Sequence, residues 1–214
     1  MTFIIVLIGW IFSLCLHEFS HALVAYYGGD YTVKDKGYLT FNPLKYTHPV
    51  FSLLMPMIFL LMGGIGLPGG AVYIEKWRLK NRNWESAVSL AGPLSNALLA
   101  LILGLILRFG SVSASGVWPA LSFLGLLQVS AVVLNLIPLP PFDGFGILEP
   151  HLSMETRIKL AETRGMLSIG VFLVLWYVPF INSLFWNFIF FLSQIAGIPL
   201  QLAGLGLNEF MFWR

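Results

Sequence analysis

The stretch TFIIVLIGWIFSLCLHEFSHALVAYY, Thr2 to Tyr27, decides how the chain is read. It exceeds the roughly 20 apolar residues that a helix needs to cross a hydrocarbon layer of about 30 Å. Glu18 is its only Asp, Glu, Lys or Arg, and His17 and His21 stand on either side of it. A charge placed mid-helix costs about 2.5–3.5 kcal/mol on insertion scales, so an ionisable group at such depth usually marks function. The segment therefore predicts both a membrane helix and a site inside it.

Composition extends this reading to the whole chain. Of 214 residues, 57% are hydrophobic and only 10% charged, with a mean hydropathy of +0.83. A soluble domain carries about 25% charged residues, so twelve Lys+Arg and ten Asp+Glu are too few to coat one. The 18 Phe and 7 Trp exclude a disordered chain, and the single cysteine excludes a disulfide scaffold. A net charge of +2 gives no basic stripe, so no nucleic-acid partner is expected. The expected class is an all-α polytopic membrane protein whose surroundings are a lipid bilayer.

Further apolar runs of spanning length cover 86–108, 119–138 and 166–192. A shorter run, 50–66, is broken by Pro56 and ends in Gly63-Gly64-Ile65-Gly66, and 194–207 is apolar but rich in Gly and Pro. Basic residues collect in 28–49, 67–85 and 139–165, whereas 109–118 carries no charge. The positive-inside rule then puts the three basic stretches in the cytoplasm and Met1 outside. Both flanks of 50–66 are basic, so a re-entrant hairpin fits it better than a crossing, with its Pro and Gly shielded by protein. About four to six transmembrane helices are expected, with this membrane-associated region after the first. The first segment lacks a basic n-region and an evident cleavage site, and reads as a retained helix. The chain is expected to be one integral-membrane domain over 1–214, with a core at about 2–150 and accessory helices at about 166–207. Oligomeric state is not legible in it.

His17-Glu18-Phe19-Ser20-His21 is an H-E-x-x-H motif. On a helix its histidines are one turn apart on one face. They can both reach one metal ion, and zinc suits nitrogen and oxygen donors without redox chemistry. Glu18 lies near enough to serve a water as general base. His21 and His17 precede Gly28 by seven and eleven residues, or about 10–17 Å of helix. The site would then lie within the bilayer, nearer the cytoplasmic face, with a polar cavity admitting water. A catalytic zinc keeps three protein ligands. The third is open between Asp143, which follows Pro138, Pro140 and Pro141 at the end of the 119–138 run, and His48 beside Pro49. His151 and Glu149 read as solvated loop residues, and Cys15 as packing.

Three motifs in this order resemble the site-2 protease family of intramembrane zinc metalloproteases. They are His17-Glu18-Phe19-Ser20-His21-Ala22, Ala91-Gly92-Pro93-Leu94-Ser95-Asn96, and Asn135-Leu136-Ile137-Pro138 running on to Asp143-Gly144. Leu39-Thr40-Phe41-Asn42-Pro43-Leu44-Lys45 and Gly69-Gly70-Ala71-Val72 are similar to its short prokaryotic branch. The resemblance spans roughly 10–150. It implies His17, His21 and Asp143 as ligands of one catalytic zinc, Glu18 as general base, and Asn135 as a residue that helps hold the substrate backbone. It implies catalytic helices at 2–27, 86–108 and 119–138, and a membrane-associated hairpin in 28–49 presenting an edge strand. The substrate would be a transmembrane segment of another protein, cut near the cytoplasmic face of a prokaryotic cell membrane. Two positions depart from the family's pattern: Lys45-Tyr46-Thr47-His48-Pro49 lacks an Asp after its His, and Phe145 stands where a second small residue is common. Read plainly, Gly92-Pro93 is a close helix-packing point and Asn96 a hydrogen bond within the bundle. Two other functions remain in view: a non-catalytic metal-binding membrane protein, such as a transporter or inactive homologue, and an H-E-x-x-H membrane protease of another class, for which Asp143 would not be a ligand.

Overall fold

A computed structural model describes residues 1–46 and 72–213. The expected re-entrant run 50–66, His48 and the Gly69–Ala71 part of the glycine motif lie outside the described residues. Helix α1 runs Thr2–Gly28 and ends at Gly29. A single helical turn, α2 (Thr32–Asp35), follows it. The long helices α3 (Arg82–Phe109) and α4 (Trp118–Asn135) come next. A short helix, α5 (Asp143–Leu148), leads to α6 (Met154–Tyr177), α7 (Pro179–Ile195) and α8 (Leu200–Phe210). No β-strand occurs among the described residues, so the part of 28–49 that is described carries turns rather than the expected edge strand.

Local chemistry explains these boundaries. Asn81 caps α3, its side chain accepting a hydrogen bond from the Trp84 amide at 3.2 Å. Pro119 occupies the first turn of α4, where a missing N–H costs nothing. That helix stops at Asn135, three residues short of the apolar run, because Pro138 disfavours helical backbone in the residue before it. The 166–192 run is two helices joined at Val178 with a bend of 84°, set by Pro179. The helix before the bend also begins earlier than hydropathy suggests. Ser153 caps it, and its first turns are polar.

Among the described residues three helices, α1, α3 and α4, are long and apolar enough to cross a membrane, or four if the bent pair α6–α7 is one span. Large apolar side chains face outward along them, including Ile4, Ile8, Leu98, Leu101 and Leu105. Water would not tolerate such a surface, but lipid does. This is an α-helical polytopic membrane protein. Its interior is layered. Val6, Trp10 and Leu14 of α1 pack on Ala120, Phe123 and Leu127 of α4 and on Phe210 of α8. At the other end of α1, Cys15, Ala22 and Ala25 pack on Val88 of α3 and on Val33, Tyr38 and Tyr46 of the following segment. The polar residues of interest sit between these layers.

Candidate metal centre

One turn of α1 brings His17 and His21 together, with Nε2 to Nε2 at 3.0 Å. Both residues are buried, as is Glu18. The other nitrogen of each ring is held from α3. His21 Nδ1 lies 2.6 Å from the Val88 carbonyl oxygen. A carbonyl only accepts, so His21 carries its proton on Nδ1 and turns a lone pair inward from Nε2. His17 Nδ1 donates to Asn96 Oδ1 at 2.5 Å, which leaves its Nε2 in the same state.

Asp143 reaches the same point from the start of α5. Its Oδ2 lies 3.1 Å from His17 Nε2 and 3.5 Å from His21 Nε2. The prolines at 138, 140 and 141 end α4 and turn the chain back, and Gly144 completes the return. A side chain at 144 would run into the Leu136 and Ile137 carbonyls, so only glycine lets α5 fold this close to the end of α4.

The donor set fits a metal ion. Ligand atoms of His17, His21 and Asp143 all lie within 4.8 Å of one another. With each neutral ring's proton on Nδ1, two imidazole nitrogens and a carboxylate oxygen converge on one point. Buried Asp143 Oδ2 has no hydrogen-bond partner. An unpaired buried carboxylate oxygen is costly, and a cation is the partner that removes the cost. Two nitrogens and one oxygen suit zinc. Helix α3 makes room by having nothing at 92. A Cβ on Gly92 would lie 2.5 Å from His17 Nε2 and closer still to His21 Nε2.

These residues open into a cavity of about 560 Å³. Its lining includes Glu18, Asn135, Val72, Tyr73 and Phe142 beside the His–His–Asp group. Asn135 is 3% exposed and stands at the end of α4. At the rim Lys76 pairs with Glu149 at 2.5 Å, and Arg164 is nearby.

An extended segment, 72–75, crosses one wall. The Val72 amide donates to Glu18 Oε2 at 3.2 Å. The Glu75 amide donates to Asp30 Oδ2 at 2.8 Å, and Asp30 Oδ1 takes the Thr32 amide and hydroxyl. Lys36 donates to the Tyr73 carbonyl and pairs with Glu75. The Arg78 guanidinium and the Lys36 ammonium push the Glu75 carboxyl down to about 2. Sequence reading finds neither this Glu18 contact nor buried Asp30, because a backbone amide has no residue signature. It takes Asn96 as a bundle hydrogen bond, and that bond ends on His17. His151 meets Ser86 at 3.1 Å, away from the His–His–Asp group.

Comparison with known proteins places this geometry. Peptidase family M50 matches residues 105–177, a stretch that holds Asn135 and Asp143. The chain is 45% identical over 214 residues to "Putative zinc metalloprotease Rip2" of Mycolicibacterium smegmatis, covering 99% of this chain and 81% of that protein. It is 42% identical to the protein of the same name from Mycobacterium tuberculosis, with the same coverage of both chains. It is 35% identical to "Putative zinc metalloprotease YwhC" of Bacillus subtilis, over 82% of this chain and 81% of that protein. No solved structure matches. An H-E-x-x-H helix, a metal-ready donor set and relatives of this identity lead to one assignment: the chain belongs to peptidase family M50, the site-2 protease family, and is a zinc metalloprotease.

Proposed function

We propose that the chain hydrolyses a peptide bond in or near a transmembrane segment of another membrane protein, close to the cytoplasmic face. The observation that carries this reading is the depth of the donor set: His17, Glu18 and His21 are buried within a helix apolar enough to span a bilayer. In this reading His17, His21 and Asp143 hold one zinc ion. The bound ion supplies Lewis acidity to water and to the scissile carbonyl.

The chain's residues carry the rest of the reaction. Glu18 takes a proton from the attacking water and returns it to the leaving amine nitrogen. The Val72 amide, donating to Glu18 Oε2, keeps the carboxylate aimed into the cavity. Asn135 offers its amide to the substrate backbone. Helical backbone bonds are costly to break in lipid, so the substrate enters as a segment that is already unwound or readily unwinds. The basic stretches containing Lys34, Lys36, Lys76, Arg78 and Lys80 lie at the Gly28 end of α1. The positive-inside rule puts that end in the cytoplasm and Met1 outside, and the similarity to the short prokaryotic branch makes the membrane that of a prokaryotic cell. Residues 1–214 act as one domain, since α8 packs on α1 and α4 rather than standing apart.

The test is cleavage of a panel of single-span substrates by protein reconstituted in lipid, with product termini mapped by mass spectrometry. Cuts in or beside the span, abolished by a zinc chelator and restored by zinc, are expected. Cuts confined to soluble substrates, or insensitivity to chelation, would overturn the reading. Asp143→Asn separates it from an H-E-x-x-H protease of another class. The amide keeps an oxygen donor but loses the charge, so zinc affinity should fall by at least the roughly 10–100-fold that loss of a ligand's outer partner costs. Unchanged affinity would remove Asp143 from the ligand set.

A further inference from the structure

Gln128 sits in the middle of α4, 1% exposed, and belongs to none of the motifs described above. The Asn96 amide, Nδ2, donates to Gln128 Oε1 at 2.8 Å. Asn96 Oδ1 in turn accepts from His17 Nδ1 at 2.5 Å. Three buried polar side chains on α4, α3 and α1 thus form one line through an apolar interior, ending on the far side of a proposed zinc ligand.

The two histidines differ in how their protons are fixed. His21 faces the Val88 carbonyl, which only accepts, so the neutral ring keeps its proton on Nδ1 and its lone pair on Nε2. His17 faces a carboxamide, whose two ends are an acceptor and a donor of nearly the same shape. Turned over, Asn96 would donate to His17 Nδ1, and the ring proton would move to Nε2. That proton would point at His21 and Asp143, where a ligand lone pair is required.

We propose that Gln128 is a positioning residue of the metal site: by accepting from Asn96 Nδ2 it keeps Asn96 Oδ1 on His17 Nδ1 and so holds His17 Nε2 free to bind zinc. The assignment rests on the reading of His17 as a ligand. A partner beyond the ligand that fixes the tautomer of a metal-bound histidine is typically worth 10–100-fold in metal affinity.

The experiment is zinc competition against a chromophoric chelator, using the full chain in lipid nanodiscs. Gln128→Met keeps length and bulk but removes the acceptor, and should weaken zinc binding about 10–100-fold. Gln128→Glu keeps an acceptor and should stay within about threefold of the parent, well below that range. A packing role predicts the opposite order, because Met suits an apolar interior and Glu does not. Asn96→Asp added to Gln128→Met should restore binding, since a carboxylate accepts from His17 Nδ1 whichever way it turns. If Gln128→Met does not fold, Gln128→Leu replaces it in both comparisons. His17→Ala is the control. If His17→Ala loses zinc while Gln128→Met binds like the parent, the Gln128 assignment is overturned alone. It is likewise overturned if Gln128→Glu is as weak as Gln128→Met, or if the double variant is not restored. If His17→Ala keeps zinc, the ligand reading falls and this assignment falls with it.

Discussion

Glu18→Gln should retain zinc and lose cleavage by about 10²–10⁴-fold, the usual contribution of a positioned proton-transfer group. The change is nearly isosteric. Glu18 is 4% exposed, and its Oε2 accepts the Val72 amide. A glutamine oxygen can keep that hydrogen bond, so the wall formed by 72–75 should survive. What disappears is the ability to take a proton from water at neutral pH. Of the other carboxylates that line the cavity, Asp143 lies against the two imidazoles, Glu149 pairs with Lys76, and Glu85 stands on α3 rather than on the His17–His21 helix. Initial rates on a single-span substrate, with zinc content determined on the same preparation, separate the two effects. Full cleavage by this variant would exclude Glu18 as the base. Loss of zinc together with cleavage would instead make Glu18 part of the binding site.

Gly92→Ala should abolish zinc binding while leaving the helices intact. Alanine favours a helix interior over glycine by roughly 0.5–1 kcal/mol, so α3 itself gains from the change. The methyl group, however, enters the space between the two imidazoles, 2.5 Å from His17 Nε2. Its neighbours cannot give way. Both rings are tied at Nδ1, one to Asn96 and the other to a main-chain carbonyl. Gly165→Ala is the control, because a Cβ there meets nothing within 4 Å. The expected pattern is stoichiometric zinc for Gly165→Ala, none for Gly92→Ala, and parental circular dichroism for both. Stoichiometric zinc in Gly92→Ala would show that the ion lies elsewhere.

The long helices are readable in the sequence because lipid imposes a simple requirement on them. A span must be apolar for its whole length, and α1, α3 and α4 meet that condition in consecutive residues. The ends are less readable. Pro138 and Pro179 act on backbone geometry rather than hydropathy, so α4 stops before its apolar run does and the 166–192 run bends at Val178. The polar start of α6 escapes for a related reason, since a hydropathy window discards it. Within the candidate site, His17, Glu18 and His21 are visible through spacing on one helix. Asp143 needs the family resemblance, because nothing local distinguishes Asp-Gly at a metal from Asp-Gly in a turn. Gln128, Asp30 and the Val72 amide matter only through partners 32 or more positions away in the chain. Such pairings are properties of packing, and no window on one segment contains them.

The donors of the metal site also arrive at different times during synthesis. Both imidazoles belong to α1, which is made before α3 and α4. Asp143 follows 122 residues after His21, which at about 5–20 residues per second is on the order of ten seconds of translation. It arrives beyond the end of α4 rather than within a span, so no helix has to carry that carboxylate through hydrocarbon. The three prolines and Gly144 then bring it back beside the histidines. The nascent chain can therefore complete α1, α3 and α4 before it owns all three proposed donors, so capture of zinc by the full set need not compete with insertion of these helices.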